Sequence, residues 1–156
     1  MKAMKNKMLD LILAVVHHLA VFTYVAIFAA EFALLRPGLA GPRLLQLARL
    51  DAAYGGVAGL IIVIGITRVI FGASGWEFYV GNWAFWAKMT AFLAMGLLSI
   101  RPTQAILRWR KAAQADPGFA PPDTEIRAAR RFVHAEAVAL LLIPTFAALI
   151  PRVYGI

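Results

Sequence analysis

The chain contains no cysteine. That excludes disulfide frameworks, thiolate metal sites and cysteine nucleophiles. Acidic residues are few: 8 Asp and Glu stand against 16 Lys and Arg in 156 residues, for a formal net charge of +8. Reactive motifs are missing too. There is no Gly-rich phosphate loop, no G-x-S-x-G and no H-E-x-x-H, which argues against soluble hydrolase or nucleotide chemistry. A cleavable signal is not evident either, since the basic start leads into an apolar run too long for a signal core and no A-x-A site follows. What is abundant is apolar surface. Hydrophobic residues make up 62% of the chain and the mean hydropathy is +0.73, against about 45–50% apolar content in soluble domains. The expectation is one integral membrane domain over residues 1–156. The positive charge lies beside apolar runs, so it points to anionic lipid headgroups rather than to nucleic acid.

Four apolar stretches, roughly 9–35, 52–71, 83–100 and 132–150, are long enough to cross a bilayer. The fold class expected is all-α: a bundle of four transmembrane helices with basic amphipathic extensions on the cytoplasmic side. The first linker, residues 36–43, carries two prolines and two glycines, and Pro42 suits the first position of the next helix. The second linker is an aromatic interfacial belt with Trp76, Phe78 and Tyr79, followed by Trp83, Phe85 and Trp86. A turn-rich break precedes Asp123, which reads as the N-cap of the last helix. Pro144 is placed to kink that helix and Pro151 to end it. Most Lys and Arg fall in the first and third linkers, from Arg36 to Arg131, so those linkers are assigned to the cytoplasm of a bacterial inner membrane and both termini to the outside. The lysines at 2, 5 and 7 weaken the contrast, and Met8 is an alternative natural start.

Asp10, His17, Tyr24 and Glu31 recur at a spacing of seven in the first span. Seven residues are just under two turns, so the four share one helix face, and that face should meet protein rather than lipid. By depth the polar residues form two layers. His17, His18, Arg68 and Lys88 lie in the outer half and are the candidate cofactor-binding set. Glu31, Asp51, Tyr54, His134 and Glu136 lie in the inner half, near Arg130 and Arg131. His17 or His18 is a candidate haem-iron ligand, a proton relay, or a packed imidazole; adjacent histidines point about 100° apart on a helix and do not readily share one ion. Glu31 is expected to pair with Arg36 or Arg49, and His134 with Glu136 to join a salt-bridged cluster at headgroup level. Arg68 is expected to snorkel outward, Lys88 to snorkel or serve the site, and Tyr24 to pack as an aromatic. Ala52, Gly55, Gly56 and Gly59 form a small-residue face suited to close helix packing.

His17-His18-Leu-Ala, Glu31 with Leu34-Leu35-Arg36-Pro37-Gly38, Arg49-Leu-Asp51, Gly75-Trp76 with Phe78-Tyr79, and Trp86-Ala-Lys88-Met89 together resemble a bacterial family of four-span membrane proteins classed as a domain of unknown function. A more distant likeness is to the HemJ-type protoporphyrinogen oxidases and the CopD-like membrane proteins. Trp86-Ala-Lys88 resembles a Trp-x-x-Lys start with one residue fewer, and Arg131-Phe-Val-His134-Ala-Glu136 resembles an Arg-x-x-Asn-Glu opening with a gap and a substitution. The likeness implies His17 or His18 as a haem ligand, and the outer cationic layer is expected to put Arg68 or Lys88 near the propionates of a b-type haem. From span ends His17 and His134 differ by roughly 12 Å in depth, so single ligation is easier than a bis-histidine site. Three functions stay open. The chain is a haem-associated redox or porphyrin-handling protein, an accessory subunit packed against a larger membrane complex, or a proton or ion carrier working as a homo-oligomer. The sequence assigns no reaction.

Overall fold

The computed structural model describes residues 2–72 and 75–153, with side chains from Met8 onward. All of the described regular structure is helical: α1 (Lys2–Leu34), α2 (Gly41–Phe71), α3 (Trp76–Val80), α4 (Trp83–Ala115) and α5 (Asp123–Leu149). The four long helices have the length and hydropathy to cross a membrane. They alternate in direction, so one face of the bundle carries the 35–40 and 116–122 linkers and most exposed arginines. The other carries α3 and the Trp-rich turn. These are called here the basic face and the aromatic face.

The four long helices all run further than the apolar stretches. α2 takes in the basic segment 43–50 without a break, with Pro42 in its first turn where a missing N–H costs nothing. α4 continues straight through a buried Pro102 for 33 residues, about 50 Å of helix at 1.5 Å per residue. A hydrocarbon core is only about 30 Å thick, so the basic end of α4 projects beyond it. α5 likewise runs through Pro144 to Leu149.

The helices pair as two hairpins, α1 on α2 and α4 on α5, joined along α2 and α4. Packing is densest toward the basic face, where Leu35, Leu44, Leu47, Ile106 and Ile126 are completely buried. Polar bonds clasp the same end. The Arg130 guanidinium donates to the Leu35 carbonyl at 3.1 Å, and the Trp109 indole donates to Glu125 at 3.0 Å. Asp123 is the first helical residue rather than the N-cap, which is Pro122, and its carboxylate accepts instead from the Gly38 amide at 3.1 Å. At the aromatic face Asn82 does cap: it accepts from the Ala84 amide at 3.0 Å and donates to the Ile150 carbonyl at 2.7 Å. One side chain thereby ties the start of α4 to the end of α5.

The rest of the apolar surface looks outward, with Phe22 69% and Leu141 70% exposed, as lipid-facing positions should be. The small-residue face of α2 departs from expectation. Ala52, Gly55, Gly56 and Gly59 are exposed, and a Cβ placed on any of the three glycines meets nothing within 4 Å. Within one chain these glycines bring no helix closer.

Candidate functional site

The spacing of seven on α1 meets α2 along its whole length, and the first two partners, Gly72 and Gly65, share that spacing. The helices are antiparallel, so seven steps down one correspond to seven steps up the other. Asp10 lies beside Gly72, where a glycine Cβ would sit 3.1 Å from its carboxylate, and His17 lies against Gly65, at 3.9 Å. Tyr24 stacks on Tyr54 with ring centroids 4.4 Å apart and planes 13° from parallel. Glu31, at the end of the series, lies within electrostatic reach of Asp51. The stripe is the α1 side of the α1–α2 seam, as its periodicity requires.

Its basic-face end is a buried polar cluster fed by four helices. Glu31 comes from α1, Asp51 and Tyr54 from α2, Thr103 from α4 and Glu136 from α5. Asp51 and Tyr54 are three apart and so share a face of α2. The Tyr54 hydroxyl donates to Glu136 Oε2 at 3.0 Å, and the Thr103 hydroxyl donates to Asp51 Oδ1 at 2.7 Å. Glu31 and Glu136 are 4% and 2% exposed. Each keeps one buried carboxyl oxygen, Glu31 Oε2 and Glu136 Oε1, with no hydrogen-bond partner among the described residues. Glu31 is within electrostatic reach of both Asp51 and Glu136.

One turn nearer the basic face, each of the four helices backs the cluster with a buried aliphatic side chain. Leu35 follows Glu31, Leu47 precedes Asp51, Ile106 follows Thr103 and Val133 precedes Glu136. This layer separates the carboxyl groups from water at that face.

The expected ion pairs do not form. Among the described residues the salt bridge found is Arg108 with Glu125, at 3.5 Å, and it lies on the surface. Arg36, Arg49 and Arg131 are exposed. Arg130 spends its guanidinium on the Leu35 carbonyl and the face of Phe32, 5.3 Å from the ring centre. The arginines at the rim stay exposed, while Glu136 turns inward to a tyrosine and lies within electrostatic reach of Glu31. Nor do His134 and Glu136 act together. His134 is exposed, bonded through Nδ1 to its own Arg130 carbonyl and packed on Phe32 at 4.9 Å.

Toward the aromatic face a second group collects. His17 from α1 lies within electrostatic reach of Lys88 from α4 and Arg68 from α2. His17 Nδ1 and Arg68 Nε are buried atoms with no hydrogen-bond partner among the described residues. His18 is separate: it is exposed, its ring meets His17 edge-on at 6.3 Å, and its Nδ1 is bonded to the Ala14 carbonyl. His134 packs at the level of Phe32, fifteen residues along α1 from His17. That is roughly 22 Å along the helix, more than the span ends implied, so one haem cannot join the two. Among the described residues no three His, Asp or Glu side chains are placed to hold a metal ion. Were a haem bound here, His17 would be the residue to hold it, with Arg68 and Lys88 as the cations within electrostatic reach.

Thr103 has no signal in the sequence. A lone threonine after Arg101-Pro102 reads as helix surface, and only the α2–α4 contact turns it onto Asp51.

In comparisons with known proteins, residues 9–155 match the family described as "Predicted membrane protein (DUF2214)". No curated protein and no solved structure matches the chain.

Proposed function

Since the chain belongs to this DUF2214 family, whose description names a membrane protein and no activity, we propose its function from the buried site: it is a proton-handling membrane protein whose binding site is the Glu31–Asp51–Glu136 cluster. The observation that carries this is the pair of buried carboxyl oxygens, Glu31 Oε2 and Glu136 Oε1, on two different helices and without a donor among the described residues. A buried polar atom without a partner is costly. Three neighbouring carboxyl groups also repel one another as anions. Protons shared among them relieve both penalties, and the Tyr54 hydroxyl on Glu136 gives a bound proton a route across α2. Tyr24, His17 and Asp10 mark the way toward the aromatic face at steps of about 10 Å. The aliphatic layer beneath the cluster closes it from the basic face, which we assign to the cytoplasm of a bacterial inner membrane from its arginines.

Proton uptake into sealed vesicles holding the reconstituted protein and an enclosed pH-sensitive dye tests this, with a potassium gradient and valinomycin as the drive. Wild-type protein is expected to carry protons, and Glu31→Gln or Glu136→Gln to lower the rate about a hundredfold or to background. Folded wild-type protein with no flux, or a double Gln variant with undiminished flux, overturns the proposal.

A second reading is favoured by one observation, the partnerless Nδ1 of His17: a b-type haem held by a single axial histidine, in a redox or porphyrin-handling role. That group would supply one-electron chemistry. An absorption spectrum of gently purified protein decides it, and the absence of a Soret band even after added haem rejects it.

A further inference from the structure

The cationic group near the aromatic face poses a charge problem that the proton site does not answer. Arg68 lies in the last turn of α2 and Lys88 in the second turn of α4, both half-buried inside the spans. Among the described residues no Asp or Glu oxygen lies within ion-pair distance of either. Two unneutralised charges at that depth are expensive unless an anion reaches them. Their position shows where one comes from. Both lie roughly 5–8 Å below the helix ends, and Trp83 and Trp86, 57% and 54% exposed, flank Lys88 as headgroup-level aromatics do. Arg68 Nε and His17 Nδ1 are both buried without a hydrogen-bond partner among the described residues.

We propose that His17, Arg68 and Lys88 form a binding site for the phosphate group of an anionic phospholipid of the aromatic-face leaflet. α1 and α4 both pack on α2, so a phosphate between their ends meets one cation from each of α2 and α4 and the imidazole from α1. The guanidinium offers a planar fork to phosphate oxygens and the ammonium a mobile point charge. The acyl chains lie along the exposed apolar faces below. The site lies about four turns from the acidic cluster along the α1–α2 seam; it shares His17 with the proposed proton way but stands whether or not that cluster carries protons.

Native mass spectrometry of the whole protein in detergent micelles containing phosphatidylglycerol tests the site. Wild-type protein is expected to keep a phosphatidylglycerol that the double variant Arg68→Gln/Lys88→Gln loses, with roughly fivefold weaker retention for each charge removed. Arg101→Gln/Arg108→Gln, at the basic face, should keep it. Should the double variant fail to fold by circular dichroism, Arg68→Lys keeps the charge without the fork, and partial loss of the same lipid is then expected. Equal retention by wild type and a folded double variant overturns the proposal. Displacement of that lipid by inorganic phosphate at matching concentration assigns the site to soluble phosphate and overturns the lipid source.

Discussion

Tyr54 is the residue on which the buried cluster turns. It stacks on Tyr24, tilts against Phe28 at 6.1 Å, and gives its hydroxyl to Glu136. Tyr54→Phe keeps the ring and removes only the donor, so Glu136 is left with both carboxyl oxygens unsatisfied. Bonds between membrane helices are worth about 0.6–2 kcal/mol, and a loss of that size is expected in detergent unfolding. Proton flux should fall as well, because the hydroxyl is the link across α2. Flux unchanged with stability lowered would make the tyrosine structural only. Half of this arrangement was legible in the sequence. The spacing of seven placed Tyr24 and Glu31 on the protein-facing side of α1, and both are buried. Their partners were not legible. Arg131 and Glu136 are five residues apart on one helix, which turns it by about 140°, and Arg36 lies beyond the last residue of α1. Nearness in sequence to an arginine therefore brings neither glutamate to it, and Glu136 instead meets a tyrosine contributed by another helix.

The elements themselves follow from composition more closely than their joints do. Apolar runs and turn-rich linkers fix four spans, and Pro42 and Asn82 start helices where their chemistry allows. Asp123 shows why the joints are harder. Its type and place suit a cap, yet the carboxylate is drawn 3.1 Å from the Gly38 amide because two linkers meet at the basic face. Asn82 does two jobs, and a pair of variants separates them. Asn82→Asp keeps the acceptor for the Ala84 amide but has no amide to give the Ile150 carbonyl. Asn82→Ala loses both. The cap is worth about 1 kcal/mol, and a buried carbonyl left without its donor costs about 1–3 kcal/mol. Thermal unfolding should therefore rank wild type above Asn82→Asp and Asn82→Ala lowest. Equal stability of the two variants would mean that the tie to α5, not the cap, carries the whole effect.

Over the whole molecule, packing and charge are both uneven from one membrane face to the other. Completely buried Leu35, Leu44, Leu47, Ile106 and Ile126 fill the bundle toward the basic face. Toward the aromatic face the α1–α2 seam holds histidine, arginine and an aspartate beside Gly72. A site sealed on one side and polar on the other should be loaded from the polar side, so the sense of any proton movement depends on which way the bundle sits. Arginines favour the cytoplasm because they are retained there during insertion. The chain has no cysteine of its own, so single cysteines report orientation without background. Glu77 on α3 and Gln114 near the end of α4 are both exposed and lie at opposite faces. In intact cells stripped of any outer barrier, a membrane-impermeant maleimide should label Glu77→Cys. Gln114→Cys should react only after the membrane is opened. The reverse pattern would turn the bundle over and place the polar end of the seam toward the cytoplasm. The acidic cluster would then draw its protons from inside the cell, and the phosphate site would face the inner leaflet, where anionic lipid gives the same three side chains the same partner.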